Sequence, residues 1–304
     1  LELDLRLEAA GADELGEVMA KDGWMSAPKV VWEGVGKRFL TLTWAEGQPL
    51  SSAQSLEQPG LDRPALANGL MRGFLAQALD HGVFHADLHE GNLFVGPPSA
   101  IVAVDYGIMG RIGPDERRYL AEILWGFLRR DYRRVAEIHF EAGYVPAVHS
   151  VDAFAQALRA VGQPIFGRSA KDVSMGRLLG QLFEITALFD MHLRPELVLL
   201  QKTMVTVEGV ARRIDPDHDI WAAAEPVVRR WIARELSPTE KVKSLVQDAI
   251  GALQSLARLA EAERKGQPAA VPPTAPSIGP FWLALSVSTA LTLAAILVFK
   301  ALNG

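Results

Sequence analysis

With 304 residues, 49% of them hydrophobic, the chain has enough apolar material for a sizeable core. Its formal net charge of -5 and pI near 5.9 argue against a general nucleic-acid binder, which would carry a basic stripe. The absence of cysteine excludes disulfides, thiolate zinc sites and thiol catalysis, and the start at Leu1-Glu-Leu-Asp4, without Met or a signal peptide, reads as a cut rather than a natural beginning.

From Leu1 to Asp22, apolar residues at helical spacing (Leu3, Leu7, Ala10, Leu15, Val18) predict one or two helices closed by Gly23. Lys29 to Trp32 and Arg38 to Trp44 are β-branched and aromatic, and predict a hairpin joined by Glu33-Gly-Val-Gly36. Ala45 to Pro49 then leaves the sheet. A polar, Pro-bearing segment from Ser51 to Pro64 precedes a helix over about Ala65 to Asp80, ended by His81-Gly82. Two apolar strand-like runs come next, Leu93 to Val95 and Ile101 to Val104.

From Pro114 to Trp231 the periodicity is helical, broken at Tyr144 to Pro146, Gly162 to Pro164, Arg194-Pro195 and Ile214 to Pro216. A further helix over about Pro238 to Arg264 runs into a Pro-rich linker, 265–280. Phe281 to Phe299 is 19 residues without a charge. At 1.5 Å per residue this comes to about 28 Å, close to the hydrocarbon thickness of a bilayer, which predicts one membrane span; a buried core helix is the alternative. Arg258, Arg264 and Lys265 before the run outnumber Lys300 after it, a small bias toward a cytoplasmic main domain.

The chemistry concentrates in His85-Ala-Asp-Leu-His-Glu-Gly-Asn92, followed by Asp105-Tyr-Gly107 at the end of the second run. Phosphoryl transfer from ATP needs a carboxylate near the attacking group and oxygen ligands that hold Mg2+ against the phosphates. Asp87, Asn92 and Asp105 supply that set, in the pattern H-x-D-x-x-x-x-N, strand, D-aromatic-G. Three other readings compete. His85, Asp87 and His89 also spell a metal-hydrolase cluster, Asp87 and Asn92 also suit turns and caps, and Arg129-Arg-Asp-Tyr-Arg-Arg134 is either a lipid-facing basic cluster or an exposed helix face.

Together with Glu2-Leu-Asp4 and the stretch from Leu193-Arg-Pro-Glu-Leu-Val-Leu-Leu-Gln-Lys-Thr203 to Ile214-Asp-Pro216, these motifs resemble the UbiB/ADCK atypical kinase family over nearly the whole chain. The resemblance implies an α+β, protein-kinase-like fold: a partial N-lobe with a β-hairpin (1–50), a large helical C-lobe (51–264), the linker, and a C-terminal transmembrane helix (281–299). It implies Asp87 as the catalytic-loop aspartate, Asn92 and Asp105 as Mg2+ ligands, and Glu8 as the carboxylate that pairs with a nucleotide-binding lysine. Glu2 and Asp4 match the family's E-x-D motif, and Glu46, in Trp44-Ala-Glu-Gly47, falls where adenine contacts are expected. ATP and Mg2+ are the implied cofactors. The implied role is support of ubiquinone biosynthesis at a bacterial inner membrane, with a membrane lipid, a polyprenyl quinone precursor or other biosynthetic proteins as partners and no nucleic acid.

Leu88 and Glu90 stand where many members have proline, and Tyr106 stands for phenylalanine. The family's K-x-G-Q motif, Ala-rich loop and ATP-binding lysine all precede its E-x-D motif, so the chain reads as a fragment that binds ATP poorly as given. Glu2, Asp4 and Glu8 also suit a solvated helix face. An aminoglycoside-phosphotransferase-like enzyme shares the catalytic loop but not the apolar C-terminus, and a catalytically silent scaffold is the reading from another class.

Overall fold

In a computed structural model the described residues are 4–164, 184–191 and 195–235, and they fall in one compact unit. Helix α1 (Leu5–Asp22) is capped by Asp4, whose carboxylate accepts the Arg6 N–H at 3.2 Å, and it is closed by Gly23 at φ 74°. Its buried stripe of Ala9, Ala12, Leu15 and Met19 faces the core.

The hairpin is present, with its turn displaced from the expected place. Strand β1 (Val30–Gly36) runs through the glycines taken for the turn, and the chain reverses at Lys37-Arg38 before β2 (Phe39–Leu42). The reason is cross-strand crowding: a Cβ on Gly34 would meet Thr41, and one on Gly36 would meet the Phe39 ring, both at 2.5 Å. Ala45 to Gly47 leaves the hairpin sheet as expected, but the chain then enters a second sheet. Gln48–Pro49 forms a short strand, β3, against the strand just after the catalytic loop. Pro49 is tolerated because β3 is an edge strand, and Gly47 makes the bend at φ 102°, with Val95 O too close (2.7 Å) for any Cβ.

Helix α2 (Arg63–Ala76), capped by Asp62, continues into a single π turn over Gln77–His81 that ends at Gly82 (φ 72°). Strand β4 (Val83–His85) begins at once. Strands β5 (Leu93–Gly96) and β6 (Ala100–Ala103) pair antiparallel in a three-stranded sheet with β3, while β4 pairs with β7 (Met109–Arg111). The two small sheets therefore hold the catalytic loop and the Asp105 loop at adjacent strand ends.

The remainder is helical: α3 (Pro114–Leu128), α4 (Tyr132–Glu141), α5 (Val151–Gly162), α6 (Pro195–Ile214) and α7 (Ile220–Glu235). Each expected break falls at a helix end. Helix α2 is buried along most of its length against α6 and α7, with Leu66, Leu70, Met71 and Phe74 fully covered. A second core forms around Phe154, whose ring meets Phe189 edge-on at 4.9 Å. Arg133 and Arg134, from the basic cluster, are engaged by Asp152, Glu137, Glu122 and Glu141, the pattern of an exposed helix face. No helix among the described residues is long and apolar enough to cross a membrane. The expected 238–264 helix, the 265–280 linker and the 281–299 span lie outside the described residues.

Candidate functional site

His85 ends β4 fully buried, and its ring organises the two loops that carry the aspartates. Nδ1 accepts the Asp87 N–H at 3.1 Å, so the ring proton sits on Nε2 and is donated to the Val104 carbonyl at 3.0 Å. Burial holds the pKa of His85 below that of free histidine, which keeps the ring neutral and this tautomer in place. One imidazole thereby fixes the backbone of Asp87 and of the residue before Asp105. Tyr106 packs its ring 5.1 Å from that of His85, and its buried hydroxyl donates to Ala103 O at 2.7 Å, so tyrosine fills the phenylalanine's place and adds a hydrogen bond.

The loop between Asp87 and Asn92 is held from several sides. Asn92, buried, donates from Nδ2 to the Asp87 carbonyl at 3.0 Å, and its own carbonyl accepts the Val104 N–H at 2.9 Å. With the amide nitrogen occupied, Oδ1 is the atom left to serve as a ligand. Thr203 on α6 donates its hydroxyl to the Ala86 carbonyl at 3.1 Å, and Arg213 on the same helix pairs with Glu90. His89 accepts the Gly91 N–H at 3.0 Å through Nδ1, while its Nε2 lies 3.6 Å from Asp87 Oδ2.

Asp105 adopts φ 63°, a left-handed conformation that aspartate tolerates better than most residues, and its Oδ1 accepts the Gly107 N–H at 3.3 Å. Glu8, in the first turn of α1, lies beside it and accepts the Tyr106 N–H. Burial and the neighbouring Asp105 charge both raise the pKa of Glu8. This is a carboxylate pair whose repulsion a bound cation would relieve.

The structure thus brings together Glu8, Asp87, Asn92 and Asp105. Asp4 caps α1, and its pairing with Arg6 lowers its pKa to about 2. Glu46 sits exposed in the segment between β2 and β3. Glu2 lies outside the described residues. The metal-hydrolase reading fails on geometry, because both ring nitrogens of His85 are bound to backbone, and among the described residues no three His, Asp or Glu side chains could hold a metal ion. Asp105 and Asn92 do suit Mg2+, which takes few protein oxygens and completes its shell with phosphates and water. His85 as a clasp was not legible in the sequence, since its role depends on which strands pair.

An ABC1 atypical kinase-like domain model matches residues 1–139 and a UbiB helical domain model matches 158–219, about two thirds of the chain between them. The chain is 38% identical over 248 residues to a probable protein kinase UbiB of Marinobacter nauticus, covering 80% of this chain and 45% of that one. It is 36% identical over 267 residues to the Azotobacter vinelandii protein of the same name (86% and 49%), and 36% over 281 residues to that of Pseudomonas fluorescens (90% and 52%). The chain spans about half the length of these curated relatives. Among solved structures, the complex of Rv3197 with erythromycin from Mycobacterium tuberculosis shares the fold, with a TM-score of 0.53 at 21% identity over 74% of this chain and 58% of that one.

Proposed function

The chain belongs to the ABC1/UbiB atypical kinase family, and we propose that it carries the catalytic and cation-holding part of an ATP-dependent phosphotransferase or ATPase that supports ubiquinone biosynthesis at a membrane. The observation that carries this reading is the single imidazole of His85 tying the Asp87 loop to the Asp105 strand, with the Asn92 amide oxygen left for a ligand between them.

In this reading Asp87 orients the attacking hydroxyl or water and accepts its proton late in the transfer. Asp105 and Asn92 hold Mg2+, which would neutralise charge on the phosphates. Glu8 holds the nucleotide-binding lysine, Glu46 lies along the adenine edge, and Glu2 and Asp4 border the nucleotide. The uncharged run 281–299 anchors the protein as a single pass in a bacterial inner membrane, with the kinase-like domain on the cytoplasmic side where ATP is. A polyprenyl quinone precursor or another membrane lipid is the acceptor or effector, together with other proteins of ubiquinone biosynthesis.

The test is Mg2+-dependent ATP binding by calorimetry on the natural full-length protein. Asp105→Asn should weaken it by about tenfold or more, since a hard cation loses its charged oxygen ligand while the fold is kept. Equal affinity in the two proteins would remove Asp105 from the site.

A further inference from the structure

We infer that Gln77, on the π turn ahead of the catalytic strand, is a positioning residue for the catalytic loop. Gln77 is buried to 1% exposure, and its Oε1 accepts the His85 N–H at 3.0 Å. Among the described residues its Nε2 meets the Met25 sulfur at 3.9 Å, a weak acceptor, so the amide is oriented by the bond to His85. That N–H belongs to the residue whose ring fixes the Asp87 N–H and the Val104 carbonyl. A shift of the His85 backbone therefore carries both aspartate loops with it.

The π turn itself is gripped from outside. Trp231 on α7 donates its indole N–H to the Leu79 carbonyl at 2.9 Å, and Arg117 on α3 donates to the Asp80 carbonyl at 3.1 Å. The Asp80 carboxylate takes Arg230 at 2.6 Å and Arg234 at 2.9 Å. A π turn widens the helix and leaves carbonyls to be satisfied elsewhere, and here the neighbouring helices satisfy two of them. The π turn thus presents Gln77 toward β4 from a fixed support rather than from a frayed helix end.

This inference rests on Asp87 and Asp105 being the reacting and cation-holding groups. The experiment compares Gln77→Leu and Gln77→Glu with wild type in the full-length protein, measuring steady-state ATP hydrolysis and amide hydrogen exchange of the peptide 83–89. Leucine has nearly the same shape and no acceptor. Glutamate keeps an acceptor oxygen in either protonation state. Gln77→Leu should lower kcat by about ten- to a hundredfold with KM for MgATP within about twofold, because a misplaced reacting group costs turnover more than binding. It should also speed exchange in 83–89, and Gln77→Glu should restore both. A wild-type kcat in Gln77→Leu, or an equal loss in Gln77→Glu, would overturn the inference. If Gln77→Leu does not fold, Trp231→Phe removes one grip on the π turn while keeping the ring; a several-fold fall in kcat at constant KM supports the inference and no fall refutes it. A wild-type protein that neither binds nor hydrolyses MgATP would refute the kinase reading alone, and the exchange rates in 83–89 would then decide the role of Gln77.

Discussion

At the scale of single residues, the site divides its polar groups by what they touch. Side chains bonded to backbone, such as His85, Asn92 through Nδ2, Tyr106 and Thr203, set geometry, while Asp87 and Asp105 keep carboxylate oxygens for ligands. Asp87 is partly exposed, and among the described residues its carboxylate makes no close hydrogen bond, with His89 Nε2 3.6 Å from its Oδ2. This placement suits the role proposed for it, on the chemical step rather than in holding the nucleotide. Asp87→Ala should therefore lower the ATP turnover of the full-length protein by about a hundredfold or more while Mg2+-ATP affinity stays within a few-fold. Steady-state kinetics set beside calorimetry separates the two quantities, and a wild-type rate in Asp87→Ala would exclude the role.

At the scale of elements, a half-buried histidine makes stability depend on pH in a direction that can be worked out. His139 on α4 is enclosed by the rings of Tyr144 and Phe154, its Nδ1–H donates to Val135 O at 2.7 Å, and burial lowers its pKa. The unfolded chain takes up a proton near the ordinary histidine value and the folded protein does not, so this contribution is full above that value and is lost as pH falls toward the folded pKa. Glu8 and Glu208, both raised by burial, act in the opposite sense: their contribution is present below the ordinary carboxylate value and lost as pH rises through the folded pKa. The Tm should fall as pH is lowered from about 7 to 5.5, and His139→Gln should flatten the slope within that window. Parallel melting curves for the two proteins would show that His139 does not titrate there.

Elements also show how much of the structure was legible in the sequence. Most helix ends were, because Gly23, Gly82 and the prolines at 164, 195 and 216 punctuate strongly and act locally, whereas the break between α3 and α4 at Arg129 to Asp131 was not, since no glycine or proline marks it. The hairpin turn was misplaced because glycine has two uses, and Gly34 and Gly36 serve close approach of the strands instead of reversal. Strand β3 was missed because two residues carry no period, and only the partner strand β5 makes Gln48–Pro49 a strand. In the site, the residues proposed to touch ligands stood out by type and spacing. Gln77, Thr203 and the His85 clasp did not, since each acts on a partner brought close by folding.

At the scale of the whole molecule, the described residues end at Glu235 on α7, the helix that grips the π turn through Arg230, Trp231 and Arg234. Beyond it the sequence reaches the uncharged run 281–299 through the Pro-rich stretch 265–280. A run of that length matches the hydrocarbon core, and with no charge to place in it, transfer from water favours insertion over exposure by far more than a surface charge contact contributes. The arginines at 133 and 134 of the basic cluster are already engaged by carboxylates, so they are not free to hold anionic headgroups. The membrane attachment we propose is assigned to the C-terminal run. Deleting the residues after Gln267 should move the protein from the membrane pellet to the soluble fraction, and the intact protein should stay in the pellet through a high-salt wash that strips proteins held by charge. Sedimentation of the shortened protein with membranes in high salt would place the anchor elsewhere in the chain.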